Sequence, residues 1–166
     1  MTKVVFLGAG ASPGVPSISC GWGNCNPNNP KNIRRRTSTY YDINGVKILV
    51  DTSPDLRQQI LDNNITGVDV VLYTHSHFDH ISGIDELREI NRITCKPIPV
   101  FASKFTMDEI KRRYGYMIIK DNEPKFYLSK GGLVTKKIKA NHEFYFELYI
   151  NKFILFSRSI NCNNYI

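Results

Sequence analysis

The sequence predicts a mixed α/β fold, and three observations carry that expectation. Short apolar runs bounded by polar residues recur and read as buried strands. Two of these runs flank Asn44-Gly45, the strongest short signal for a tight hairpin. Strand pairs are then followed by segments with helical spacing, a pattern that packs helices against a sheet. At 166 residues the chain is one domain by size, 1–166, with no internal repeat, low-complexity stretch or linker to divide it.

Composition narrows the function classes. Hydrophobic residues at 42% and charged residues at 22% are those of an ordinary globular protein and argue against disorder. An excess of 22 Lys and Arg over 15 Asp and Glu leaves +7, which favours acidic partners such as nucleotides, phosphate esters or RNA. A positive surface is also a route to solubility. Four cysteines at irregular positions, without a secretory signal, point to a reducing cytoplasm. The apolar run within the first eight residues is too short for a signal peptide or a membrane span, so no membrane partner is expected.

Val4 to Leu7 reads as a first, buried strand, and the loop Gly8 to Pro16 follows it. Its glycines have the wrong spacing for a dinucleotide fingerprint, and Pro13 and Pro16 forbid the helix such a motif needs. They are expected to let the backbone approach the site closely, with Ser12 lining its mouth. Ser19 to Pro30 is rich in turn formers and holds Cys20 and Cys25, either half of a structural zinc site or two free loop thiols. Arg34, Arg35 and Arg36 come next, a run that either attracts a phosphate or is simply solvated. The hairpin ends at Asp51, with Ser53 as N-cap and Pro54 at the first position of a helix through Leu56, Ile60 and Leu61.

Val70, Val71 and Leu72 form a buried strand that stops where Thr74-His-Ser-His-Phe-Asp-His80 begins, and a helix is expected through Ile81, Ile84 and Leu87. Ile98 to Ala102 reads as another strand, and Thr106-Met-Asp-Glu109 has capping-box spacing for a helix through Tyr114. Leu133 to Ala140 and Glu143 to Ile150 read as strands flanking Asn141-His142.

Three of the chain's four histidines lie between positions 75 and 80. Imidazole is the commonest nitrogen ligand and a carboxylate complements a divalent cation, so a metal accounts for this cluster better than packing does. His75 and His77, two apart in an extended segment, point to one side and can clamp one ion. Asp79 and His80, where the chain turns into the helix, are placed for a second.

The segment Thr74 to His80 resembles the signature of the metallo-β-lactamase superfamily of binuclear metallohydrolases. Leu7-Gly-Ala-Gly10, Gly14-Val-Pro16, Lys31-Asn-Ile-Arg-Arg-Arg36, Ile48 to Arg57 and Gly83-Ile-Asp-Glu-Leu-Arg88 are similar to words of its phosphodiesterase group, related to tRNase Z and to the carbon–phosphorus-lyase-associated cyclic phosphodiesterase. The resemblance is dense from about Lys3 to Ala102 and thin over 143–166. It implies an αββα sandwich, of which this chain looks like the N-terminal part, and one or two zinc or manganese ions per chain. His75, His77, Asp79 and His80 are the implied ligands, with Asp79 also handling the water. His142 is the candidate third ligand of the first metal, although Glu143 stands where the family has glycine. Asp51 is implied as an acceptor that orients a ligand imidazole, beside the plainer reading of a strand-terminal aspartate.

The implied activity is hydrolysis of phosphodiesters by metal-activated water, on a phosphate-ester small molecule or an RNA end, with Ser12, Arg34, Arg35 and Arg36 towards the phosphate. The family's bridging aspartate and distal histidine have no counterpart, since no Asp follows Asp121, so weak turnover is expected unless a homodimer supplies ligands. A non-catalytic metal-binding remnant and a thioesterase of the same superfamily are the alternatives.

Overall fold

The structure, a computed structural model, describes residues 2–118 and the backbone of three later strands. Its elements are β1 (Thr2–Gly8), β2 (Ser38–Ile43), β3 (Val46–Val50), α1 (Leu56–Asp62), β4 (Val70–Leu72), α2 (Phe78–Ile81), α3 (Leu87–Thr94), β5 (Ile98–Ser103), α4 (Lys104–Tyr114), β6 (Leu133–Ile138), β7 (Tyr145–Ile150) and β8 (Phe153–Phe156). Strands β1 to β6 form one sheet in chain order, and β7 pairs with β8. The first three strands run antiparallel and the next three pairings are parallel. This is the mixed α/β architecture expected.

The hairpin turns as its residues demand. Asn44 (φ 51°) and Gly45 (φ 90°) both take the positive φ of a type I′ turn, and Gly45 N–H donates to Asp42 Oδ1 at 2.9 Å. Period-two alternation then divides the sheet between two apolar clusters. Leu49, Val71 and Val100 face Leu56, Ile84, Leu87, Met107 and Ile110 from the helical segments. Ile48 and Val70 lie in a second cluster with Tyr41, Val50, Leu72 and Phe101.

Several boundaries differ from expectation. Strand β1 is not buried, because it lies at the sheet's edge: only Leu7 is enclosed, while Val4 and Phe6 are exposed. The Ser53 hydroxyl does accept the Asp55 N–H, but Pro54 and Asp55 form a turn and the helix begins at Leu56. The helix expected over Ile81, Ile84 and Leu87 is interrupted at Gly83, giving α2, a 3₁₀ turn (Ile84–Glu86) and α3. Gly83 is pressed against the preceding crossover: a Cβ there would stand 2.0 Å from the Ser53 carbonyl oxygen. Helix α4 is capped by Ser103, whose hydroxyl accepts from Thr106 N–H at 3.3 Å, so Thr106 lies inside the first turn and no capping box forms. Strands β6 and β7 fall within the expected runs, β8 was not anticipated, and His142 lies outside the described residues.

Candidate metal centre

Parallel pairing builds the centre. Val50 lies opposite Leu72, so β3 and β4 release the chain at the same end of the sheet, and Asp51 N–H extends the ladder to the Leu72 carbonyl at 2.9 Å. Carboxyl ends of parallel strands are where α/β sheets place ligands. Asp51 is 1% exposed and holds a left-handed backbone, φ 60°, a conformation that a non-glycine residue keeps only where its surroundings enforce it. Its carboxylate accepts Thr74 N–H at 2.8 Å and Thr74 O–H at 2.7 Å, and its Oδ2 lies 2.7 Å from His80 Nδ1. The neighbouring Thr52 N–H donates to the His80 carbonyl at 2.7 Å, and Thr52 Oγ1 meets the buried Tyr73 hydroxyl at 3.0 Å. Burial pushes the Tyr73 phenol well above its ordinary range, so it stays neutral. His80 is therefore held by ring and backbone together.

The three imidazoles and Asp79 do come together. The His75 ring lies 3.9 Å from that of His80 and 4.6 Å, edge-on, from that of His77, centroid to centroid. His80 Nε2 stands 3.5 Å from Asp79 Oδ2. Asp79 is buried, His75 and His80 are half-buried and His77 is exposed. Because the Asp51 carboxylate can only accept, it places a proton on Nδ1 of His80 and leaves Nε2 turned towards Asp79. The hydrogen bond to Asp51 raises the His80 pKa against the opposing effect of burial. Burial, with the adjacent His80 and His77, lowers that of His75. That shift favours the neutral imidazole, the form in which histidine binds metals.

These donors fit a divalent cation in type: an imidazole locked in one tautomer stands beside a buried carboxylate. They do not form a finished cage. Among the described residues no group of three or more His, Cys, Asp or Glu is placed to hold a metal ion, and His142 lies outside those residues.

The anticipated phosphate-binding residues lie on two segments that pair with each other, Gly10 bridging to Arg36 and Val15 to Arg34 on either side of Ser12. Arg36 grips Asp55 with both arms of its guanidinium, Nε at 2.9 Å from Oδ2 and Nη2 on Oδ1, and its backbone N–H adds a third bond at 2.8 Å. That pairing raises the Arg36 pKa and lowers that of Asp55, and the charge of Asp79 reaches Arg36 as well. Arg35 pairs with Asp62. Arg34 and Ser12 are exposed, and Arg34 pairs through its backbone with Val15. The loop glycines approach this arginine segment rather than the histidines. Gly10 N–H donates to the Arg35 carbonyl at 2.8 Å, and a Cβ on Gly8 would lie 2.0 Å from the Arg36 carbonyl oxygen. Cys20 and Cys25 are exposed free thiols. Thr74 and Thr52 escaped sequence reasoning, although the position of Thr74 directly before His75 was a usable signal.

Residues 46–151 match the family model described as a Beta-lactamase superfamily domain. The chain belongs to this superfamily. Its fold agrees with that of a diphosphatase of the PhnP family, with a TM-score of 0.71 and 31% identity over 90% of this chain and 54% of that one. Zinc-bound PqqB from Methylobacterium extorquens (TM-score 0.65, 23% identity, 87% and 48% of the two chains) and the short form of human tRNase Z (0.55, 20%, 82% and 45%) share the metallo-β-lactamase fold. Among curated relatives, 125 residues are 38% identical to a Porphyromonas gingivalis protein named octanoyltransferase, covering 74% of this chain but 25% of that protein. A Ruegeria pomeroyi coenzyme PQQ synthesis protein B is 34% identical over 98 residues, 52% of this chain and 33% of that one. The chain thus spans a third or less of these two curated relatives. No described helix is long and apolar enough to cross a membrane.

Proposed function

We propose that this superfamily member is a metal-dependent hydrolase of phosphate esters, acting on a phosphodiester or diphosphate linkage of a small molecule or an RNA end in the cytoplasm. The observation that carries the proposal is the Asp51–His80–Asp79 arrangement. A buried carboxylate fixes the imidazole so that its second nitrogen, 3.5 Å from Asp79, is free to bind. The 31% identity with a PhnP-family diphosphatase supports phosphorus as the reacting centre.

His75, His77, His80 and Asp79 would hold zinc or manganese, which when bound supplies Lewis acidity and a water that ionises near neutral pH. Asp51 orients His80, and Thr74 steadies both Asp51 and the His75 ring, whose Nδ1 is 3.0 Å from Thr74 Oγ1. Asp79, a buried carboxylate, would take a proton from water. Arg36 adds positive charge beside Asp79 while its guanidinium is committed to Asp55.

The test strips metal from the purified chain, measures zinc and manganese bound per chain on reloading, and follows hydrolysis of a chromogenic phosphodiester and of a dinucleoside diphosphate. Loading and turnover should both fall in His75→Ala and His77→Ala and persist in Cys20→Ser. Loading that is indifferent to the histidines, or lost with the cysteine, would overturn the assignment.

A further inference from the structure

Arg113, in the last turn of α4, touches the motif loop at its backbone. Its Nη1 donates to the Ser76 carbonyl at 3.3 Å, between His75 and His77, although 37 residues separate Arg113 from Ser76. Its remaining arms are committed. Nε and Nη2 both donate to Glu109 Oε2, at 3.1 and 2.8 Å, four residues back on the same helix. Arg112 shares that carboxylate, and the two arginines push the Glu109 pKa down to about 2, so the anchor stays ionised at any working pH. Nη1 makes no bond to Glu109, and one of its two N–H groups meets the loop.

The loop has few other fixed points. Asp51 secures it at the Thr74 N–H, and the His77 carbonyl accepts the first helical bonds of α2, from His80 N–H at 3.1 Å and Ile81 N–H at 3.2 Å. Between these lies the peptide joining Ser76 to His77, whose plane sets where the His77 ring leaves the backbone. Ser76 is 7% exposed, so its carbonyl has little access to water as an alternative partner. Without Arg113 that carbonyl would be left without its donor and the peptide would be free to rotate.

We propose that Arg113 is a positioning residue: held by Glu109, it fixes the Ser76–His77 peptide and so sets the orientation in which His75 and His77 present their nitrogens. This deepens the metal-dependent reading above and rests on it. Lysine does not replace arginine here, because a single ammonium lacks the planar fork that spans Glu109 and Ser76 together.

The experiment compares wild type, Arg113→Ala, Arg113→Lys and Arg112→Ala, the last removing a Glu109 partner that does not touch the loop. Circular dichroism confirms folding, and Glu109→Gln serves as the milder variant should Arg113→Ala fail to fold. Zinc affinity is measured by competition with a chromogenic chelator, and the imidazole Cε1–H resonances of His75 and His77 are recorded in metal-free protein. Both Arg113 variants should bind zinc about tenfold or more weakly, the usual consequence of losing an outer support. They should also shift or broaden the His77 resonance without metal, while Arg112→Ala resembles wild type. Unchanged affinity and unchanged resonances in folded Arg113→Ala would overturn the proposal. Should wild type itself bind no zinc, the metal reading fails, and the metal-free resonances still decide whether Arg113 holds the loop.

Discussion

Replacing Asp51 with asparagine separates the chemistry of the centre from its backbone strain. Asparagine is nearly isosteric and tolerates the left-handed region, so the φ of 60° at this position does not penalise it. The amide oxygen can still accept the Thr74 N–H, which lies 2.8 Å from Oδ1. The amide nitrogen then occupies the place of Oδ2, 2.7 Å from His80 Nδ1, and it can only donate. His80 must move its proton from Nδ1 to Nε2, and the nitrogen facing Asp79 loses its lone pair to a hydrogen. Hydrogen bonds to charged groups are worth about 1.5–3 kcal/mol each. Two such bonds, from His80 Nδ1–H and from the Thr74 hydroxyl, are lost or inverted, so unfolding free energy should fall by roughly 3–6 kcal/mol in urea titrations of metal-free protein. Zinc affinity should drop about 10–100-fold, the range for loss of an outer carboxylate. Nitrogen-15 shifts of the His80 ring report the tautomer directly. Retention of the Nδ1–H tautomer, or zinc affinity within twofold of wild type, would refute the reasoning.

Gly83→Ala should lower stability by about 1–3 kcal/mol or prevent folding, since backbone must give way where the new Cβ would stand 2.0 Å from the Ser53 carbonyl; thermal unfolding measures it. In metal-free protein the histidines should titrate on opposite sides of the ordinary value, His80 above 6.5 because Asp51 favours its cation and His75 below it because burial disfavours its own. The signs follow. His80 contributes stability that is complete below about pH 6.5 and is lost as pH rises through its raised pKa, whereas His75 costs stability once pH falls below that same unfolded value. Proton NMR titration of the ring resonances, with urea midpoints across the same range, checks both.

Local signals carried much of the fold. Asn44-Gly45 located the hairpin because only such residues take two positive φ values in succession, and the histidine motif was legible because three imidazoles crowd where an apolar strand stops. What escaped depends on partners distant in sequence. The arginine run reads as free cationic charge until Asp55, 19 residues on, occupies Arg36. The interruption at Gly83 preserves apolar spacing, with Ile81, Ile84 and Leu87 all buried, so periodicity alone reads one helix. Thr106 and Glu109 have capping-box spacing, yet Ser103, three residues before Thr106, takes the cap. Edge placement of β1 left Val4 and Phe6 exposed in a run that locally reads as interior.

The side-by-side exit of β3 and β4 has a kinetic consequence. Asp51 and His80 are 29 residues apart, and their contact exists only after the chain has crossed over through α1 and laid two parallel strands together. Parallel pairings of this kind are entropically slow to close. The raised proton affinity of His80 should therefore be acquired late, once these strands have paired. In a stopped-flow refolding experiment near neutral pH, proton uptake from a weak buffer would time the birth of the centre separately from collapse of the hydrophobic core.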